Sequence, residues 1–206
     1  NLIVAPQFVW NPRASTVDYD AVRQVEAARA ILEHYWHNRQ FSTYATKAVE
    51  SAIALSEGFI HEEWDPHLGE EYSVDPENPG NVIKTGDIRF QNVAPWDVIR
   101  DPNKQDFNEC DWLIVRLFKN KWDLAVEFPE KAKEIHDVPT EIPSRGDSGY
   151  ALKVATDDVP LYYFYHKPCA SLPMGRMVKF VSSGDVLEDT ILPYGMIPLQ
   201  RVTCAE

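Results

Sequence analysis

The chain has 206 residues, of which 44% are hydrophobic and 12% aromatic, and this composition argues against disorder. Its 20 basic and 32 acidic side chains give a formal net charge of -12, which argues against general electrostatic adhesion to nucleic acid or to an anionic membrane. No apolar stretch is long enough to cross a bilayer, and residues 2–5 are too short for a signal peptide, so we expect a soluble protein.

The first predicted elements are two amphipathic helices. Apolar residues recur at helical spacings in two stripes: Ala21, Val25, Ala28, Leu32 and Tyr35, then Phe41, Tyr44, Ala48, Ala52, Leu55 and Phe59. The stripes are out of phase by about two residues. Either two helices therefore meet near residues 37–40, or one long helix changes the face that it buries. Gly58 is the predicted C-terminal stop.

Strands are predicted after the helices. Residues 61–86 contain three prolines and three glycines and predict a hairpin or an irregular β-rich loop. Residues 87–93 alternate in polarity, as in a half-buried strand. Residues 112–118 are nearly continuously apolar, which predicts a strand buried on both faces.

A helix and a return to β structure complete the chain. Residues 120–135 predict a helix that begins with Asn120 as its cap and is limited or kinked by Pro129. The last third is rich in strand patterns and includes a hairpin around Gly184, which suits a turn that needs positive φ. The order predicts an α+β fold: an N-terminal helical pair packed on a small mixed or antiparallel sheet, a further helix, and a C-terminal β-hairpin region.

The three cysteines, Cys110, Cys169 and Cys204, are widely spaced and form no CxxC motif. This usage is typical of unpaired thiols in a reducing compartment rather than of a secreted disulfide framework. We expect each of them to pack as a small buried hydrophobe.

An acidic stretch, residues 94–112, is the main candidate for chemistry. It holds two prolines, two tryptophans and five carboxylates, at Asp97, Asp101, Asp106, Glu109 and Asp111. One interpretation is a metal-dependent hydrolase or nuclease that uses Asp97, Asp101 and Asp111, with His61 or His67. The other is a rigid corner, because Asp residues at turns readily accept hydrogen bonds from nearby backbone N–H groups. The spread of the acids over two turns and a loop favours the corner, formed by Pro95, Asp97, Asp101, Pro102 and Trp112.

Other candidate ligands are weaker. In the sequence HEEWDPH, residues 61–67, the two histidines are six apart with Pro66 between them, so they cannot share a helix face as in HExxH. A turn in a solvated acidic loop is the better interpretation. His34 and His37 are spaced for one helix face, but the sequence places no third ligand beside them. There is no GxSxG, GxGxxG or P-loop motif. We therefore predict no catalytic residue, metal or cofactor.

A series of short sequence motifs, which begins in the corner, supports a further interpretation of this segment. A strand ending in V-x-P-x-D-V leads into D-P, an acidic stretch, W-L-I and a helix ending in an aromatic-Pro pair, at Val93, Pro95, Asp97, Val98, Asp101, Pro102, Trp112, Ile114, Phe128 and Pro129. YYFYHKP, GRMVKFVSSGDVLED and PYGMIPL follow. In this order the phrases resemble the middle segment of portal (head-to-tail connector) proteins of tailed double-stranded DNA bacteriophages, and the similarity covers residues 18–200.

The resemblance implies a non-enzymatic structural subunit. Portal proteins form rings, commonly of twelve subunits, at one capsid vertex of the virion, and they assemble in the host cytoplasm. Double-stranded DNA passes through the channel without sequence specificity during packaging and ejection. The expected partners are other copies of the chain, the terminase large subunit, the capsid or scaffold protein, and a tail or adaptor protein, with no membrane partner.

The resemblance also implies a division of the chain. It places a wing-like α+β region at residues 1–115, a stem helix at 116–137 and a clip-like β-rich region at 159–206. Between them, residues 138–158 are predicted to form a flexible loop because they are rich in Pro, Gly, Ser and Asp. Family members are longer and the chain begins with Asn1, which implies a fragment or a short member.

Several side chains acquire candidate roles from this division. The candidate DNA-channel contacts are Lys119, Lys121, Lys131 and Lys133, for which the solvated face of a helix is the alternative. The candidate aromatic anchors between subunits are Trp64, Trp96 and Tyr163, for which core packing is the alternative. A different assembly protein, with contacts through Leu32 and Leu55 of the helical pair, is a further hypothesis.

Overall fold

The fold is α+β, as predicted. The computed structural model describes residues 12–13, 18–74, 82–104, 106–138 and 157–204. Its elements in chain order are α1 (Tyr19–His37), α2 (Phe41–Leu55), β1 (Glu57–Asp65), β2 (Glu71–Val74), β3 (Val82–Lys84), β4 (Asp87–Val93), β5 (Val98–Arg100), β6 (Trp112–Asn120), α3 (Lys121–Glu127), α4 (Ala132–His136), β7 (Asp158–His166), β8 (Arg176–Val181), β9 (Val186–Thr190) and β10 (Leu199–Thr203). No helix among these elements is long and apolar enough to cross a membrane.

The chain divides into two compact units. Asn1–Asn92 and Leu199–Glu206 form the first, and Val93–Pro198 form the second. This division differs from the four segments expected from the sequence, because the final strand returns to the first unit. Most of the expected flexible loop, residues 139–156, lies outside the described residues.

In the first unit, two separate helices pack on a small sheet. Asn38 and Arg39 donate backbone N–H groups to the His34 carbonyl oxygen at 2.8 and 3.2 Å, and Gln40 takes a φ of 54°, so the chain turns between α1 and α2. The three-stranded sheet has the order β10-β1-β4, and β10 is antiparallel to β1. The ring of Phe90 on β4 packs with three aromatic rings of the helices, those of Tyr35, Phe41 and Tyr44, at centroid distances of 5.8, 4.8 and 6.0 Å.

The predicted helix stop at Gly58 is wrong. Helix α2 ends at Leu55, Ser56 takes the positive φ of 70°, and Gly58 is already part of β1. A Cβ atom on Gly58 would lie 2.0 Å from the carbonyl oxygen of Ala48. Because Ala48 and Ala52 are also buried, small residues on both elements allow α2 to approach β1 closely.

The second unit is built on a five-stranded antiparallel sheet of order β5-β6-β7-β8-β9. In β6 the buried positions alternate with partly exposed ones: Leu113, Val115 and Leu117 are buried. The prediction that both faces of this strand are buried is therefore wrong, because its side chains are fully covered on one face only. The hairpin prediction is confirmed, since Gly184 lies between β8 and β9 with a φ of 92°.

The predicted helix after β6 is divided in two. Asn120 caps α3 as expected, because its Oδ1 accepts the Trp122 N–H at 2.9 Å. Pro129 begins a short 3-10 turn that separates α3 from α4. The expected stem helix at 116–137 is wrong in its first part, since residues 116–120 belong to β6.

The prediction that the cysteines are buried is correct for one residue only. Cys110 is buried, whereas Cys169 and Cys204 are exposed, and all three thiols are free. Burial lowers the reactivity of a thiol chiefly by keeping it from solvent, so Cys110 is the one that packs as a small hydrophobe.

Replacement of Gly58 by Ala should destabilise the first unit by about 3 kcal/mol, because the new methyl group would overlap the Ala48 carbonyl group. Gly184→Ala is the control: its Cβ meets nothing within 4 Å, so only the positive φ should cost about 1 kcal/mol. Urea unfolding of the two variants and the parent measures both effects. Equal losses would contradict the close approach of α2 to β1.

Candidate functional site: the acidic corner

The acidic corner, residues 94–112, consists mainly of turns. Pro95 opens a 3-10 turn that ends at Asp97, and the Asp97 N–H donates to the Ala94 carbonyl oxygen at 2.9 Å. Strand β5 follows directly and pairs with β6. A second 3-10 turn, Phe107–Glu109, precedes β6. Side-chain and loop contacts must therefore hold much of this segment, because it contains little regular structure of its own.

Asp97 and Arg116 form the central ion pair of the corner. The Asp97 residue is only 8% exposed. Its Oδ1 accepts a hydrogen bond from Arg116 Nε at 2.7 Å and lies 2.5 Å from Arg116 Nη2 in the ion pair. Burial lowers the pKa of Arg116, but the hydrogen bond and the charge of Asp97, with the Tyr162 hydroxyl, raise it more. Arg116 thus stays cationic, and its guanidinium lies 5.6 Å from the Phe118 ring centroid.

Two further carboxylates accept hydrogen bonds from backbone N–H groups of their own turns. Asp101 is 8% exposed, and its Oδ1 accepts the Asn103 N–H at 2.9 Å. Asp106 caps the second 3-10 turn, and its Oδ1 accepts the Asn108 N–H at 2.9 Å. Each acid satisfies a backbone donor two residues ahead, which is the usual work of Asp in turns.

Hydrogen bonds connect the end of the corner to Lys167, which follows β7. The Asp111 side chain is 61% exposed and lies 3.9 Å from Lys104 Nζ. Its backbone carbonyl oxygen accepts the Lys167 N–H at 2.8 Å, and Lys167 Nζ donates to the Asn108 carbonyl oxygen at 2.6 Å. Trp112 stacks on Phe164 of β7, with ring centroids 6.3 Å apart.

The described residues contain no group of three or more His, Cys, Asp or Glu side chains placed to hold a metal ion. Asp97, Asp101 and Asp111 are therefore not brought together as such a group, and each has the separate contacts given above. Glu109, in the second 3-10 turn, is exposed.

No family model matches the sequence, and no curated protein matches it.

The HEEWDPH segment is a strand end rather than a solvated loop. His61 is 1% exposed within β1, so the loop interpretation is wrong for residues 61–65. Asp65 accepts the His67 N–H at 2.8 Å and forms an ion pair with Arg89. Burial raises the pKa of Glu62, which lies between these residues on β1.

The candidate DNA-contacting lysines lie beside acidic side chains. Lys119 Nζ is 3.4 Å from Glu127 Oε2, and Lys121 Nζ is 3.2 Å from Asp157 Oδ1. Lys131 Nζ is 4.0 Å from Glu134 Oε1. Lys133 is exposed. Three of the four positive charges thus have a nearby carboxylate that lowers their attraction for phosphate.

The three candidate aromatic anchors differ in exposure. Trp64 and Trp96 are 55% and 53% exposed, so both remain available for a contact. Tyr163 is completely buried in β7, and its proposed role as an exposed anchor is wrong. The alternating pattern of β7 turns this residue towards the covered face of the sheet, as it does Leu161 and Tyr165.

Sequence reasoning missed a buried lysine on β8. Lys179 is 8% exposed, and its Nζ lies 2.9 Å from Glu188 Oε2 and 3.9 Å from Glu127 Oε1. Its ammonium also lies 5.5 Å from the Tyr163 ring centroid. The available signal was a single lysine inside the apolar run MVKFV, which is unusual unless the charge has a partner.

Asp97→Ala should destabilise the protein by about 2 kcal/mol, because it leaves the Arg116 guanidinium partly buried without its carboxylate. Asp111→Ala, at an exposed position, should change the free energy of unfolding by less than about 0.5 kcal/mol. Urea unfolding of both variants, with the Arg116→Ala and double variants, completes the cycle. A coupling free energy near zero would show that the ion pair does not hold the corner.

Glu62→Gln should raise the thermal stability at neutral pH, because burial disfavours the ionised carboxylate that is present there. The folded-state pKa is raised, so the cost exists above that pKa and disappears as the pH falls below the unfolded value of about 4.5. The melting temperatures of the two proteins should therefore converge in acid. A gain that is the same at all pH values would exclude ionisation as the cause.

Proposed function

We propose that the chain is a structural subunit, or a part of one, of a portal ring at a capsid vertex. The observation that carries this proposal is the acidic corner. Its carboxylates hold turns and an ion pair, and the same residues carry the ordered phrases that resemble portal proteins. In this role the corner keeps β5 and β6 in a fixed arrangement, and its acids need no catalytic function.

The charge of the molecule suits a DNA conduit. A channel protein must let DNA slide, and a net charge of -12 lowers the affinity for phosphate groups. Lys119 and Lys121 have side chains only 18% and 20% exposed and lie beside acids, so they suit transient contact with DNA less well than the exposed Lys133. We therefore assign any contact with passing DNA chiefly to Lys133, which is exposed, and next to Lys131, whose side chain is 43% exposed.

The expected partners and location belong to the same proposal. A portal subunit would associate with other copies in a ring, commonly of twelve, and contact the capsid or scaffold protein. It would dock the terminase large subunit during packaging and a tail or adaptor protein later. The exposed Trp64 and Trp96 are large aromatic surfaces of the kind that anchor protein contacts, which supports an assembly role in the virion.

A metal-dependent hydrolase or nuclease has less support. Such an enzyme would need Asp97, Asp101 and Asp111 to direct free carboxylate oxygens to one ion. Asp97 instead binds Arg116, and Asp101 binds the backbone of its own turn. A nuclease assay of the protein with Mg²⁺ or Mn²⁺ addresses this alternative: cleavage that Asp97→Asn and Asp101→Asn both abolish, in folded variants, would favour the enzyme.

Negative-stain electron microscopy of the full-length gene product should show closed rings with a central hole. Asp111→Asn, which changes an exposed carboxylate of the corner, should form the same rings, whereas Asp97→Ala should form fewer because the corner is weakened. The fraction of particles in rings measures the effect. A full-length product that stays monomeric at high concentration would contradict the proposal.

A further inference from the structure

We propose that the ribbon of β2 and β3 binds an extended, Lys- and Arg-rich segment of another protein as an added strand. Five large side chains define this ribbon surface: Trp64, Tyr72, Val74, Val82 and Ile83. The surface belongs to the first unit and is separate in sequence from the acidic corner. Such a segment would bind whether or not the chain is a portal subunit, because the strand pairing, exposure and charge of the ribbon are sufficient.

Strands β2 and β3 have open edges and uncovered faces. Within the described residues they pair only with each other, and every residue of both strands is exposed. A two-stranded ribbon without a covered face is marginally stable in water. The unpaired backbone N–H and C=O groups along its edges can pair with a further extended strand, which is the interaction called β-augmentation.

The large side chains of the two strands lie in solvent. Tyr72 is 79% exposed and Val74 is 52% exposed, and Val82 and Ile83 are each 44% exposed. Val74 is directly opposite Val82 in the register, so these two side chains share a face of the ribbon. An added strand would remove part of this apolar surface from water, which favours binding.

A β-bulge presents the Tyr72 side chain. The register pairs residue 71 with residue 84 and residue 73 with residue 83, so Tyr72 is the extra residue of β2. A bulge bends its strand and redirects the side chain at the bulge. The exposed Tyr72 ring is therefore available for a cation–π contact with a Lys or Arg side chain of the added strand.

Trp64 lies at the base of the same ribbon. The base is held by two hydrogen bonds: the Thr85 N–H donates to the Glu70 carbonyl oxygen at 3.0 Å, and Thr85 Oγ1 accepts the Glu70 N–H at 3.1 Å. The Trp64 ring covers Gly86, because a Cβ atom on Gly86 would overlap it. A second aromatic ring, 55% exposed, thus lies next to the end of β3.

Charge identifies the partner as a basic segment. Residues 61–74 and 82–86 carry five acidic side chains and one basic side chain. Glu70 and Glu71 are exposed immediately before Tyr72. These carboxylates favour cationic side chains on an added strand. A second copy with its net charge of -12, an anionic membrane and a nucleic acid would each be repelled.

The test is fluorescence anisotropy of a labelled peptide of about eight alternating Lys and Val residues, titrated with the 206-residue chain. The Lys/Val peptide should bind, and a Glu/Val peptide of the same length should not. An analogue with a methyl group on every backbone nitrogen keeps the side chains and charges but has no backbone N–H to donate. Its affinity should be at least about 10-fold lower.

Two peptide results would overturn the proposal. Failure of the Lys/Val peptide to bind would exclude a basic strand as the partner. Equal affinities of the methylated and unmethylated peptides would show attraction between charges without strand pairing.

Tyr72→Ala should weaken binding of the Lys/Val peptide by about 5-fold, because it removes the ring that receives a cation. Tyr19→Ala is the matched control: this tyrosine, on α1, is 73% exposed, and its loss should change the affinity by less than about 2-fold. Far-UV circular dichroism verifies that both variants are folded. Equal effects of the two substitutions would place the peptide elsewhere on the protein.

A charge-matched pair of variants tests the carboxylates. The double variant Glu70→Gln/Glu71→Gln should weaken binding by about 5-fold. The control, Glu26→Gln/Glu50→Gln, removes two exposed charges from α1 and α2 and should weaken it by less than about 2-fold. Equal weakening by both would indicate that only the total charge of the protein matters, which contradicts a site at the ribbon.

Hydrogen exchange locates the bound peptide. Backbone amides of Glu71–Val74 or Val82–Lys84 should exchange more slowly in the complex, because an added strand pairs with one edge of the ribbon. Binding should weaken as NaCl is raised to about 0.5 M, since salt screens the attraction between the charges. Unchanged exchange in both strands, or binding that strengthens with salt, would overturn the proposal.

Discussion

The ion pair between Asp97 and Arg116 is the constraint on which the acidic corner depends most. It joins a 3-10 turn to the middle of β6 across 19 positions of the chain. The corner around this ion pair has few backbone hydrogen bonds of the strand-pairing kind. Its backbone conformation is therefore held by the ion pair, by the turns of Asp101 and Asp106, and by the hydrogen bond from the Lys167 N–H to the Asp111 carbonyl oxygen. A buried charge that loses its partner is costly, which is why a single pair can fix so irregular a segment.

Ion pairs between a buried aspartate and an arginine also occur in the first unit. Asp65 and Asp87 are 8% and 7% exposed, and they pair with Arg89 and Arg39. The Tyr35 hydroxyl and the Ile88 N–H also donate to Asp87 Oδ1, both at 2.8 Å. Arginine suits this role because its planar group stays charged and offers several donors. Among the described residues, arginines thus neutralise three of the four buried carboxylates, and the fourth, Asp101, accepts a backbone N–H of its own turn.

This distribution of charge suits the proposed role as a structural subunit. Acidic surface lowers the affinity for DNA phosphates, as the proposed conduit would require. The close approach of α2 to β1 at Gly58 fixes that helix on the sheet of the first unit. A structural subunit needs these properties more than it needs a cleft of convergent polar groups.

The sequence by itself determined the features that depend on near neighbours. The helical character of residues 19–55, the Asn120 cap, the break at Pro129 and the turn at Gly184 follow from periodicity, capping and allowed φ values, which a few adjacent residues decide, whereas the division into α1 and α2 was left open. Only the tertiary structure decided the role of Gly58, the pairing of β10 with β1, the one-sided burial of β6 and the covered position of Lys179. These depend on elements far apart in the chain, since a strand pattern states which side chains alternate but not which face another element will cover.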